Sequence, residues 1–293
     1  MIDKKHLEVA QKIRELVDCG FSLVEVRSVT GGCIHEAYLY TSSSGEIFFI
    51  KLNQVSFLEH FKQEAFALKA IQKTQTIRTP VVLGWGSTLK NSFLALEYID
   101  MNSTSKKRGQ SILGEHLAAM HQTLSDRFGW FDNNFIGATP QINPWSPDWV
   151  EFYTIHRLEY QFRFAQNSRG YSFKKSDDLL SSVPDYFKSY KPVASLLHGD
   201  LWSGNVAFQK EETPVIYDPA CFYGDRECEI AFTKMFGGFD SSFYLAYENR
   251  WPLDSGFKRR INLYNLYHYL NHFNLFGPSY LDETEQIISI LIN

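Results

Sequence analysis

A chain of 293 residues with 44% hydrophobic residues and a net charge of −4 is long enough to bury a sizeable core and to form two domains or lobes. Its one basic tract, Lys106, Lys107 and Arg108, is too short to argue for a nucleic-acid partner. No stretch is long and apolar enough to span a bilayer, and the start, MIDKKHLEVAQKIREL, has charges throughout and no apolar signal core. The expectation is a soluble cytoplasmic protein. Its four cysteines, Cys19, Cys33, Cys221 and Cys228, form no CxxC pair and no zinc spacing with histidine, so free thiols are the plain reading.

From 3 to 18, Leu7, Val9, Ala10, Ile13, Leu16 and Val17 recur at helical spacing, and Gly20 marks a stop. Residues 23–29, 37–40 and 47–52 then read as short strands punctuated by glycine and serine turns, which suggests an antiparallel sheet. Between the first two lies Thr30-Gly31-Gly32-Cys33. Glycines here let backbone N–H groups approach phosphate oxygens closely, although an ordinary hairpin turn has the same sequence. Gly31, Gly32 and Cys33 are the first candidate nucleotide contacts. Cys33 reads as a small loop residue, with an oxidisable thiol as the alternative.

Lys51 ends the apolar strand IFFIK, and a helix over 56–73 follows, with Phe57, Phe61, Ala65, Leu68 and Ile71 on its apolar face. Glu64 lies one position from that stripe and can turn back toward the sheet. A strand-end lysine oriented by a carboxylate can hold nucleotide phosphates. Two solvated surface charges remain the alternative. Strands over 81–85 and 93–99 follow, the second ending in Glu97-Tyr98-Ile99-Asp100. The polar segment 102–110 sets a lobe boundary there.

Beyond 110 the composition turns helical. Ser111 can cap a helix carrying Leu113, Leu117, Met120 and Leu124, with Glu115 in its first turn; His116 and His121 read as structural. Residues 129–142 read as an irregular loop, and a long loop in a compact domain is usually functional. Helices are expected from 147 to 164 and over 177–189. The segment SLLHGDLWSGN, 195–205, places an apolar run before a polar turn holding His198, Asp200 and Asn205, and a second run, 215–217, ends at Asp218. That arrangement suits phosphoryl transfer, which needs a carboxylate to take the proton of an attacking hydroxyl and oxygen ligands for magnesium on the phosphates. Asp200 fits the first role, with Asn205 and Asp218 as the ligands; a kinase catalytic loop has the same five-residue Asp-to-Asn separation. Asp225 reads as the cap of a helix over 229–236, and His268 and His272 lack the glutamate of a zinc HExxH helix. Helices over 256–276 and 282–292 close the chain.

HGDLWSGNV followed by VIYDPACFYGDRECEIA and MFGGF, with FGWFDNNFIGATPQINPWSPDWVEFY before them and YNLYHYLNHFNLFG after, resembles the fructosamine kinase (ketosamine-3-kinase) family. That family shares its fold with aminoglycoside phosphotransferases and choline kinases, which lack the tryptophan of HGDLWSGN. The resemblance implies an α+β, bilobal protein-kinase-like fold. Residues 1–99 would be a nucleotide-binding lobe built on a small antiparallel sheet, and 100–293 a mostly helical catalytic and substrate lobe. It implies ATP and Mg2+ as cofactors, with Asp200 as base, Asn205 and Asp218 on the metal, and Lys51 on the phosphates oriented by Glu64. His198 would anchor the loop, and the backbone of Glu97, Tyr98 and Ile99 would face adenine. It places 129–142 near the acceptor sugar and implies phosphorylation of the 3-hydroxyl of a small or protein-bound ketosamine, freeing the amine. A monomer or a dimer is compatible with this. A kinase for choline or an aminoglycoside is the alternative that Trp202-Ser203-Gly204 argues against. A silent nucleotide-binding module is disfavoured by the joint presence of Lys51, Glu64, Asp200, Asn205 and Asp218.

Overall fold

The computed structural model describes residues 2–17, 21–30, 34–101 and 107–292. The turn Gly31-Gly32-Cys33, the stop at Gly20 and Cys19 lie outside the described residues. The chain folds as two compact units, the first Met1–Thr104 with Ala207–Pro219, the second Ser105–Val206 with Ala220–Asn293.

The first unit is built on a five-stranded antiparallel sheet. Helix α1 (Lys4–Leu16) is capped by Asp3, whose carboxylate accepts the Lys5 N–H, satisfying one of the orphan donors of a helix start. Strands β1 (Leu23–Val29), β2 (Glu36–Ser42) and β3 (Ile47–Gln54) precede helix α2 (Leu58–Thr74), and β4 (Val82–Ser87) and β5 (Asn91–Glu97) complete the order β1-β2-β3-β5-β4. Side chains alternate between the two faces of a strand. Phe48, Ile50 and Leu52, with Phe93 and Ala95, therefore pack on Val9, Ala10 and Ile13. Leu94 and Leu96, on the other face, pack on Phe61, Ala65 and Leu68 of α2. Lys51 falls between Ile50 and Leu52 and so points to the face that α2 covers. Each fully buried side chain of these two layers contributes roughly 1.5–3 kcal/mol, and together they fix where the lysine stands.

The second unit begins with α3 (Lys107–His121). Ser111 sits inside this helix rather than at its cap, because Lys107, Arg108 and Gln110 are themselves good helix formers and extend it backwards. Residues 129–142 are not irregular throughout: β6 (Asn134–Ile136) and β7 (Thr139–Gln141) pair as a hairpin. Its polar side chains Asn134, Thr139 and Gln141 are buried, so they serve the interior instead of solvating a loop. Helix α4 (Trp149–Tyr153), capped by Asp148, runs through a π-helical turn, Thr154–Glu159, into α5 (Tyr160–Arg169). Helix α6 (Ser176–Ser182) leads to strand β8 (Ser195–Leu197). The chain then runs through β9 (Val206–Phe208) and β10 (Pro214–Ile216), which pair with each other.

It continues as β11 (Phe222–Gly224), antiparallel to β8, and then α7 (Arg226–Met235), α8 (Ser241–Arg250), α9 (Phe257–Phe276) and α10 (Leu281–Ile292). Helix α8 has no counterpart among the elements expected from sequence; its cap Asp240 accepts from the N–H groups of Ser242 and Phe243. No described helix is long and apolar enough to cross a membrane.

Candidate active site

In the first unit, three charged side chains converge. Lys51 Nζ donates to Glu64 Oε1 at 2.7 Å and to Asp218 Oδ1 at 2.6 Å. Glu64 reaches the lysine because it lies three residues after Phe61 and four before Leu68, on the stripe α2 presents to the sheet. The two inner members are buried, with side-chain exposures of 9% and 12%, whereas that of Asp218 is 44% exposed. Burial alone would lower the Lys51 pKa, but Asp218 and Glu64 more than offset it and hold the ammonium above its ordinary value. Burial pushes Glu64 the other way, up to about 7, against the pull of Lys51. Asp218 follows β10, whose Ile216 N–H donates to the Arg78 carbonyl at 3.0 Å. It adopts φ +60°, a conformation that side-chain-bearing residues enter at a cost and that concentrates at functional sites.

At the end of β5, the Glu97 carboxylate accepts from Arg78 Nη2 and from the Val81 N–H. The Glu97 N–H itself donates to the Val81 carbonyl at 2.8 Å. This N–H is committed to the sheet, so of the Glu97 backbone groups expected to face adenine it is not the one left for that contact. The backbone of Tyr98 and Ile99 carries no such commitment among the described bonds.

In the second unit, β8 is buried along its length and delivers the HGDLWSGN turn from a rigid base. Gly199 adopts φ +83°, and a Cβ there would stand 2.1 Å from the Ala220 carbonyl oxygen, so both conformation and close approach require glycine. The Ala220 N–H donates to the His198 carbonyl at 2.8 Å, and the Asp200 N–H donates to His198 Nδ1 at 3.2 Å, the loop-anchoring contact expected of this histidine. Asn205 Nδ2 donates to both the backbone oxygen of Asp200, at 2.8 Å, and its Oδ2, at 3.2 Å. One amide thus ties the carboxylate of the turn to its own backbone.

The turn is held from below by a residue to which the sequence reading gives no role. Glu229 Oε1 accepts from Gly199 N at 2.7 Å and Oε2 from His198 N at 3.1 Å. Its other contact is His121 Nε2 at 2.7 Å, whose Nδ1 meets Tyr247 Oη at 2.7 Å. Burial would raise the Glu229 pKa, but His121 and the loop N–H groups hold it below the ordinary value. The local sequence signal is an acid set beside the apolar Ile230, Ala231 and Phe232, which α7 buries. Asp225 is the cap of α7, accepting from Glu227 N–H, with Tyr190 and Tyr264 donating to it as well. Trp202 lies against Gly204 and meets Phe236 edge-on, which in turn meets His272. A Cβ at Gly238 would stand 2.4 Å from Ser203 Cβ, so MFGGF braces the turn from outside. His268 stacks on Phe232 at 3.5 Å, a packing role.

With its amide nitrogen committed to Asp200, Asn205 has Oδ1 left to offer. Asp218 has Oδ2. Each, within its own unit, is an oxygen donor of the kind that a hard cation such as Mg2+ accepts. Asp200 is held through its backbone N–H by His198 and through its carboxylate by Asn205, and that carboxylate can accept a proton.

The sequence profile described as fructosamine kinase matches residues 6–293. The chain is 41% identical over 271 residues to the chloroplastic protein-ribulosamine 3-kinase of Arabidopsis thaliana, covering 91% of this chain and 82% of that protein. Among solved structures, a Haemophilus somnus 129PT chain assigned as a fructosamine-3-kinase is 29% identical, with a TM-score of 0.91 and coverage of 99% and 98%. A thermostable mutant of an aminoglycoside phosphotransferase, solved with AMP-PNP and hygromycin B, aligns at TM-score 0.63 and 15% identity over 97% and 98%. That likeness speaks for the kinase-like fold alone.

Proposed function

Because the chain belongs to the fructosamine kinase family, we propose that it transfers the γ-phosphoryl group of ATP to the 3-hydroxyl of a ketosamine. Asp200 takes the proton of that hydroxyl as its oxygen attacks phosphorus, and ADP leaves. Lys51, held by Glu64, receives the nucleotide phosphates, with backbone groups of Tyr98 and Ile99 toward adenine. Asn205 Oδ1 and Asp218 Oδ2 are the protein's ligands for Mg2+, which when bound neutralises charge on the phosphates. Phosphate on C3 is a better leaving group than hydroxide, which destabilises the adduct and frees the amine. The observation that carries this reading is the pair of hydrogen bonds from Asn205 Nδ2 to Asp200, which joins a base and a metal ligand in one turn. We place the reaction in the cytoplasm, on a free or protein-borne ketosamine, with no nucleic-acid partner and the chain acting as monomer or dimer.

The test is ADP formation with Mg·ATP across fructosamine, ribulosamine and erythrulosamine derivatives of an acylated lysine, alongside choline and an aminoglycoside. Turnover confined to the ketosamines, with phosphate on C3 by NMR, is the expected result. Turnover of choline or the aminoglycoside instead would replace the substrate assignment. Nucleotide binding with no acceptor turned over would make the chain a silent module.

A further inference from the structure

Arg157 is 1% exposed, and no carboxylate among the described residues pairs with it. Its guanidinium lies 4.7 Å, 4.3 Å and 5.8 Å from the ring centres of Phe152, Phe222 and Tyr267, and its Nε finds no acceptor. Burial, the largest influence, lowers its pKa. Such a cation is expensive to keep, and cation–π contacts recover only about 0.5–2 kcal/mol each. The cavity beside it, which also borders Gly199, Cys228 and Tyr267, measures about 20 Å³. That is room for roughly one water and none for a phosphate, so a bound anion does not account for the charge. The residue also sits in the π-helical turn Thr154–Glu159, a distortion that tends to persist where it aims a side chain.

What the guanidinium touches does account for it. Nη1 donates to the Ile142 carbonyl at 2.7 Å and Nη2 to Asn143 Oδ1 at 2.7 Å. A guanidinium only donates, so Asn143 must turn its oxygen toward Arg157 and its nitrogen away, to Asn134 Oδ1 at 2.8 Å. Asn134 is then forced to aim Nδ2 at the Cys221 carbonyl, 2.8 Å away. Gln141 Nε2 donates to Asn134 Oδ1 at 2.8 Å and to the Ala220 carbonyl at 3.2 Å, while its Oε1 accepts from Tyr267 Oη at 2.9 Å. The three amide side chains are almost fully buried, so a reversed amide finds no water to compensate it. The relay ends on Ala220, whose N–H holds His198 and whose carbonyl rests against Gly199, the residue before Asp200.

We propose that Arg157 is a positioning residue for phosphoryl transfer: as the donor-only end of a buried amide relay, it sets the direction of Asn143 and, jointly with Gln141, that of Asn134, so that Asn134 and Gln141 clamp Cys221 and Ala220 against the turn that carries Asp200. This rests on the reading of Asp200 as the base. Asn143→Asp separates the proposal from a plain structural role. It gives Arg157 the carboxylate it lacks but cannot donate to Asn134, whose Oδ1 then keeps only the Gln141 donor while the new carboxylate draws the Asn134 amide NH2 toward itself and away from Cys221. The expected result is a melting temperature within a few degrees of wild type or above it, kcat on the ketosamine lowered by about tenfold or more (~1.4 kcal/mol per decade), and an unchanged KM for ATP. Arg157→Lys, still donor-only, should keep several times the kcat of Arg157→Met, and this pair carries the test if Asn143→Asp does not fold. Wild-type kcat in Asn143→Asp, or equal kcat in the two Arg157 variants, overturns the proposal alone. A wild-type chain inactive on every ketosamine overturns the reading of Asp200 and the proposal with it.

Discussion

Glu229→Gln perturbs the support of the catalytic turn at one atom. The carboxylate accepts three N–H groups, two from the backbone at His198 and Gly199 and one from His121. An amide of the same shape has a single acceptor oxygen. The least harmful orientation keeps that oxygen on His198 and His121 and turns NH2 toward the Gly199 N–H, so one charge-assisted bond is lost and two donors face each other. A charge-assisted bond contributes about 1.5–3 kcal/mol and an unsatisfied buried donor costs a further 1–3 kcal/mol, so a loss of roughly 3 kcal/mol is expected. At about 2–4 °C per kcal/mol for a unit of this size, the melting temperature should fall by roughly 6–12 °C. Because the released groups flank Asp200, kcat on a ketosamine should fall by about tenfold or more while KM for ATP stays within about twofold. Since the pKa of Glu229 is depressed in the folded chain, its contribution is present above the ordinary value of 4.5 and fades as pH falls through the lower folded value. The gap between wild type and variant should therefore be full at neutral pH and close in acid. A melting temperature within about 1 °C of wild type, with unchanged kcat, would show that Glu229 does not support the turn.

Lys51→Met should raise KM for ATP and leave Glu64 and Asp218 without their shared cation, so steady-state kinetics indistinguishable from wild type would return that lysine to a surface role. Glu64 sits near pKa 7 and must ionise to orient Lys51, so kcat/KM for ATP should rise through about pH 7 to a plateau. In Glu64→Gln that limb should vanish, and its survival would assign it to another group. Asp218→Ala should abolish the dependence of ATP affinity on Mg2+, measured by calorimetric titration with and without the metal; an affinity that ignores both would contradict the ligand assignment.

Short-range periodicity makes much of the first unit legible. Alternation in IFFIK fixes which face Lys51 takes, and the spacing of Glu64 from Phe61 and Leu68 fixes that it faces the same way. The turn at 198–205 is readable because its anchors are local: His198 holds Asp200 two residues on, and Asn205 holds it from five. His121 reads as structural from its place on a helix, but its partner Glu229, and the roles of Glu229 and Arg157, are not readable because each acts on groups distant in sequence. The hairpin of β6 and β7 is hidden by its Asn, Gly, Pro and Gln content, which suits a loop equally well; its burial depends on carbonyls contributed by 220–221. Helix α8 escapes because Gly237-Gly238 and Asp240-Ser241-Ser242 read as turn, although the same aspartate is its cap. That 207–219 belongs with the first unit is a tertiary fact that no linear boundary expresses.

The most direct measurement is single-turnover transfer from radiolabelled Mg·ATP to a ketosamine in Asp200→Asn. Nucleotide binding should stay near wild type and the transfer rate should fall by at least about a hundredfold, the usual scale for loss of a general base. A variant that transfers phosphate at the wild-type rate would contradict the reading of Asp200 as the base.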